Sequence, residues 1–159
     1  MVFALSLITF YSLYGLPAVQ QYVVIPATNI QVHLSSWILN IFGQDTQIDQ
    51  GVIYASEVAL NVKAGCDGIE PTAFFIIGVL LVPLSWRSKL VGLGVGIIVL
   101  QLLNLLRIVG LFFAKAYWPS SFDVLHLHGG FTLFFVLTII IWMIWANWAI
   151  QTSKLSTST

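Results

Sequence analysis

Ala64-Gly-Cys-Asp-Gly-Ile-Glu-Pro71 holds the chain's only cysteine and marks the point where the sequence changes character. Upstream, residues 44–63 (QDTQIDQGVIYASEVALNVK) are polar and strand-like; downstream, an apolar run continues to Trp86. Cys66 therefore stands where chain suited to water meets a helix suited to lipid. A thiol at such a boundary suggests chemistry.

The wider composition says what the boundary separates. Of 159 residues, 58% are hydrophobic and 8% charged, against roughly 25% charged in a soluble domain, and mean hydropathy is +0.95. These values indicate an all-α integral membrane protein. Formal net charge is zero and the six basic residues are scattered. That pattern excludes nucleic acid as a partner and a polybasic lipid anchor. One cysteine forms no internal disulfide and leaves any metal site short of soft ligands, so no metal and no cofactor are expected. Trp37, Trp86, Trp118, Trp142, Trp145 and Trp148 lie mostly near the ends of apolar runs, as in interfacial belts.

Residues 2–24 are long and apolar enough to cross a core of about 30 Å. With no basic start and no small-residue cleavage site, they read as a retained helix rather than a signal peptide. Pro26 marks a break. From 27 to 42, Ile30, Leu34, Ile38 and Ile41 recur at helical spacing among Asn29, Gln31, His33, Ser35, Ser36 and Asn40. This is an amphipathic helix that lies at the outer surface or packs on the bundle; if it spans instead, the N-terminus moves outside. Gly43 closes it, and 44–63 reads as a β-hairpin outside the bilayer, since open sheet edges are not tolerated in lipid. Apolar segments at 70–86, 89–113 and 122–149 follow, and 153–159 reads as a disordered tail. The expected architecture is one domain over 1–152. It is a multipass bundle of about four transmembrane helices plus one amphipathic helix, with a short extracytoplasmic hairpin. Arg87, Lys89 and Lys154 set the cytoplasmic side, which leaves all six acids outside.

Depth then links three residues. Arg107 lies 18 positions beyond Lys89, about 27 Å up a helix at 1.5 Å per residue, near the outer boundary. His126 opens the last segment on that side, and Cys66 precedes the helix ending at Trp86. A thiol beside a cation loses its proton more readily and becomes the reactive thiolate. A neighbouring imidazole can take the thiol proton and return it to a leaving amine, and Arg107 can hold the thiolate or an oxyanion. The set suits a hydrolase or transpeptidase.

Each residue also has a structural reading. A buried cysteine is commonly an inert small hydrophobe, and Arg107 can snorkel to the interface. Against the second stands the polar ridge Gln101, Asn104, Arg107 at i, i+3, i+6, which should face protein. His126 and His128 could be interfacial, or could join Asp123 and Cys66 around a metal, although i, i+2 spacing puts the two imidazoles on different helix faces. Glu70 can serve as a first-turn acid at a helix N-terminus, with Pro71 and Thr72 fitting that start.

The ordered stretches A-G-C-D-G-I-E-P, S-W-R (85–87), Q-L-L-N-L-L-R-I-V (101–109) and F-D-V-L-H-L-H (122–128), with P-A-T-N-I (26–30) and G-Q-D (43–45), resemble a known group. It is the exosortase/archaeosortase superfamily of multipass membrane cysteine transpeptidases, and the likeness is closest to the exosortase H type. The resemblance implies that Cys66 attacks the C-terminal sorting signal of a secreted protein, forming an acyl-enzyme that is released to an acceptor. It implies a bacterial plasma (inner) membrane location with the active site on the extracytoplasmic side, and the sorting-signal peptide and membrane lipids as partners. By motif position Cys66 is the nucleophile, Arg107 the substrate or oxyanion stabiliser, and His126 the acid/base. Asn104 would orient Arg107; Gly68 and Glu70 belong to the cysteine motif without an assigned role. Two departures stand out. Asp67 occupies a place where Asn or Ser is expected, adding a negative charge that opposes thiolate formation. His128 and Gly129-Gly130 follow His126, which is preferred because it lies three residues after Asp123 in F-D-x-x-H. The competing classes are a non-enzymatic assembly subunit and a small metal-binding or transport protein.

Overall fold

The computed structural model describes residues 2–55, 58–62, 66–124, 126 and 130–156. Its N-terminal third is a bent pair of helices. α1 (Val2–Tyr14) ends at Gly15-Leu16, and a second run, Pro17–Ile41, leaves at an angle of 74°. The expected break at Pro26 thus falls at Pro17. Leu16 is extended, with ψ 134°, because the ring of a following proline disfavours the helical region. Pro17 then restarts the helix as α2 (Pro17–Val19), where its missing N–H costs nothing. A π-helical turn over Gln20–Val24 carries the chain into α3 (Ile25–Ile41). There the Ile25 N–H bonds to the Gln20 carbonyl, and that widened turn lets the helix pass Pro26 without stopping. Residues 2–24 are therefore not one straight helix, and the helix expected over 27–42 already begins upstream.

α3 is turned inside out relative to a helix on a soluble protein. Thr28, Gln31, Val32, Ser35, Ser36 and Leu39 are buried, whereas Ile30, Leu34, Trp37 and Ile41 are exposed. Small polar residues let α3 pack closely on the later helix Trp86–Tyr117, as small and polar residues do at helix contacts within lipid. Gln31 satisfies its buried amide nitrogen on the Gln101 Oε1 at 2.6 Å.

The expected hairpin is a three-stranded antiparallel meander: β1 (Gln47–Asp49), β2 (Val52–Ala55) and β3 (Val58–Asn61). Gln50 and Gly51, both at positive φ (45° and 80°), make the tight turn that pairs Asp49 with Val52. One face of the sheet, with Ile53, Ala55 and Leu60, packs with Val32 and Leu39 of α3 and with Ile108, Val109 and Phe112 further along the chain; Cys66 belongs to this cluster.

Downstream, α4 (Ile69–Leu81) has 13 residues, about 20 Å of helix, and stops at Val82-Pro83 rather than reaching Trp86. Ser85 caps α5 (Trp86–Tyr117) by accepting the Ser88 N–H. A 3-10 turn at Pro119–Ser121 and a short α6 (Phe122–Val124) precede α7 (Phe131–Ser156). The last long helix thus begins nine residues later than the expected 122, and it runs on through most of the expected tail; 157–159 lie outside the described residues. Among the described residues, two helices, Trp86–Tyr117 and Thr132–Lys154, are long and apolar enough to cross a membrane, or three spans if the bent N-terminal pair is counted as one. The expected count of about four is not confirmed, because α4 is shorter than a full span.

α4, α5 and α7 share a second core around Phe75, Val79, Leu100, Phe134 and Trp145. Trp145, one of the tryptophans expected in interfacial belts, packs inside the bundle. It is buried, donates its indole N–H to the Ser88 carbonyl at 3.0 Å, and fills the space above Gly92, where a Cβ would come within 2.0 Å of its ring.

Candidate active site

The cysteine loop is shaped by its neighbours before any chemistry is considered. Gly68 caps α4 at φ +72°, a conformation open to glycine at little cost. Its carbonyl receives the Thr72 N–H at 3.2 Å and the Thr72 hydroxyl at 2.7 Å. Asp67 is buried; its Oδ1 accepts the Ile69 N–H at 3.0 Å, and its Oδ2 receives the Tyr14 hydroxyl at 3.5 Å. Glu70 occupies the first turn of α4 and is half-buried.

The ridge Gln101, Asn104, Arg107 on α5 does face protein. Gln101 donates its amide N–H to the Thr72 hydroxyl at 3.0 Å, closing a chain Gln31–Gln101–Thr72–Gly68 from α3 to the cysteine loop. Asn104, fully buried, donates to the Cys66 carbonyl at 3.0 Å, and its side chain packs where Gly68 lacks a Cβ. Its amide N–H thus fixes the backbone of the cysteine. Arg107, one turn further, has its guanidinium carbon 5.7 Å from the Phe134 ring centre, and its Nε is buried with no hydrogen-bond partner among the described residues.

His126 lies between α6 and α7 rather than in the first turn of the last helix. Its Nε2 stands 3.7 Å from the Cys66 Sγ. The ring stacks on Phe122 with centroids 5.4 Å apart and planes at 13°, and Nδ1 is buried without a partner among the described residues. Asp123 is exposed beside it. His128 lies outside the described residues.

Electrostatics correct one expectation. Burial pushes the Cys66 thiol above its ordinary value; the Arg107 guanidinium pulls the other way and the Asp67 carboxylate reinforces the rise. Desolvation of the thiolate outweighs the nearby cation. Burial also lowers His126, helped by Arg107 and then Lys115, while Asp123 opposes. At neutral pH the resting pair is a thiol facing a neutral imidazole, a base ready to accept the proton. The arrangement can deprotonate Cys66 on demand, and the free Arg107 Nε can donate to an oxygen that gains charge beside it.

Several contributors escaped sequence reasoning. Phe122 lies four residues before His126, a visible spacing, but nothing local shows the stacking. Lys115, Tyr14 and Thr72 reach the site through packing of separate elements, for which the sequence carries no signal.

The family model described as Transmembrane exosortase (Exosortase_EpsH) matches residues 1–143. Neither a curated protein nor a solved structure matches the chain. The cysteine, arginine and histidine motifs all fall inside the matched span, which covers most of the sequence, and the chain belongs to the transmembrane exosortase family.

Proposed function

We propose that the protein is an exosortase-type cysteine transpeptidase, nearest the H type, that cleaves the C-terminal sorting signal of secreted proteins at the outer face of a bacterial plasma membrane. The observation that carries this reading is the 3.7 Å contact between Cys66 Sγ and His126 Nε2. His126 takes the thiol proton as Sγ attacks the scissile carbonyl, and the carbonyl oxygen gains negative charge. Arg107, with its unpartnered Nε, stabilises that oxygen. The C–N bond breaks, the imidazolium gives its proton to the departing amine, and a thioester remains on Cys66. An acceptor nucleophile, deprotonated by His126, then displaces the thiol. Asn104 and Gly68 hold the cysteine backbone during both steps, and Asp67 and Glu70 shape the start of α4. Asp123 lies close enough to favour a proton on the base, and His128 follows the base by two residues in the sequence. Membership of the exosortase family supports the sorting-signal substrate and the membrane setting.

Co-expression with a secreted protein ending in a short motif, an apolar helix and basic residues tests the reading. A processed product is expected with the unaltered chain and is lost in Cys66→Ala and His126→Ala. Undiminished processing in Cys66→Ala overturns it.

A further inference from the structure

His126 has no hydrogen bond on Nδ1 among the described residues, although a general base is commonly oriented through its second nitrogen. What touches the ring instead is Phe122, stacked nearly parallel to it at 5.4 Å. Phe122 is also engaged by Lys115, whose Nζ stands 5.1 Å from the ring centre and donates to the Ala59 carbonyl of β3. Sheet, α5 lysine, α6 phenylalanine and imidazole are thus linked through successive contacts.

We propose that Phe122 is a positioning residue for His126, holding the imidazole against Cys66 by its ring face and stabilising the imidazolium formed when the thiol proton arrives, with Lys115 anchoring the phenyl ring to the sheet. This rests on the reading of Cys66 and His126 as a proton-transfer pair. The face of a benzene ring is negative, so it favours a cation stacked on it over the neutral ring. Lys115 presents a second cation to the same phenyl ring and repels the imidazolium. The two neighbours therefore act in opposite senses on the proton: Phe122 helps His126 hold it and Lys115 hinders. The other charged groups acting on His126 are Arg107, which opposes protonation, and Asp123, which favours it; Cys66 is the proton donor.

The test does not need a substrate, because Cys66 is the only thiol. The full chain in detergent is alkylated with iodoacetamide across pH 5–10, and the rate reports the thiolate–imidazolium population. Phe122→Leu should slow alkylation at neutral pH by about two- to fivefold, the range expected for one cation–π contact. Phe122→Trp, with a stronger ring, should restore the rate. Lys115→Met should speed it, and its retained fold is checked by thermal unfolding. In a His126→Ala background Phe122→Leu should change nothing further. The proposal is overturned if Phe122→Leu matches the unaltered protein, if Trp slows the reaction as much as Leu, if Lys115→Met fails to speed it, or if the Leu effect persists without His126. If sorting-signal processing survives Cys66→Ala, the transpeptidase reading fails regardless of these rates.

Discussion

Replacing Gly68 with alanine strikes the cysteine loop in two separable ways. Gly68 sits at φ +72°, in the left-handed region where a side chain costs about 1–2 kcal/mol. The added Cβ would also stand 2.9 Å from the Asn104 Cγ, so Asn104 must swing aside and its bond to the Cys66 carbonyl goes with it. Because Asn104 is fully buried, leaving its amide unpaired adds about 1–3 kcal/mol. Gly43 supplies the control: it sits at φ +79°, with nothing within 4 Å of an added Cβ. Gly43→Ala should therefore carry the backbone cost alone, about 1–2 kcal/mol, and Gly68→Ala about 2–5 kcal/mol. Denaturant unfolding in detergent measures both, and sorting-signal processing by the folded fraction should fall in Gly68→Ala only. Adding Asn104→Ala removes the collision, so the double variant should lose less stability than the two single losses added together. Equal losses at Gly43 and Gly68, with processing intact in both, would refute the reasoning.

Other outcomes follow from the same structure. Arg107 disfavours a proton on both Cys66 and His126, so Arg107→Gln should raise both pKa values. The acid limb of the processing rate, set by deprotonation of His126, should move to higher pH, and the inflection of Cys66 alkylation should rise with it. An acid limb that stays put or moves down contradicts the assignment. Ser35 is fully buried and its neighbour Leu34 is exposed, so Ser35→Leu should destabilise by about 1–3 kcal/mol through overpacking, whereas Leu34→Ser should change unfolding little. The reverse ranking would mean that α3 presents its polar face to lipid.

The meeting of Cys66, His126 and Arg107 was legible in large part. Their depth follows from counting residues along apolar segments between charged ends, and helix rise is a constant of the backbone. The polar ridge on α5 was legible too, because three polar residues at i, i+3, i+6 in an apolar helix share one face. Helix ends were less so. α4 stops at Leu81 although the apolar run continues to Trp86, because Pro83 and the Ser85 cap decide where backbone bonds end, and hydrophobicity does not. Pro26 looked like a breaker and is not one, since a single π turn ahead of it relieves the clash that a regular helix would suffer.

By itself the sequence determined a membrane-embedded helical protein, a polar strand-forming segment ahead of the cysteine, and the approach of Cys66 and His126. Composition and periodicity decide those, because they depend on transfer between water and lipid and on the fixed geometry of a helix. Only the tertiary structure decided that the thiol rests protonated, that Asn104 holds the cysteine backbone, and that α3 buries its polar face. Each of these depends on distances between elements far apart in the chain. Desolvation at Cys66 exceeds the pull of Arg107 only once the loop is packed beneath α5, and that balance is set by burial, which residue spacing does not encode.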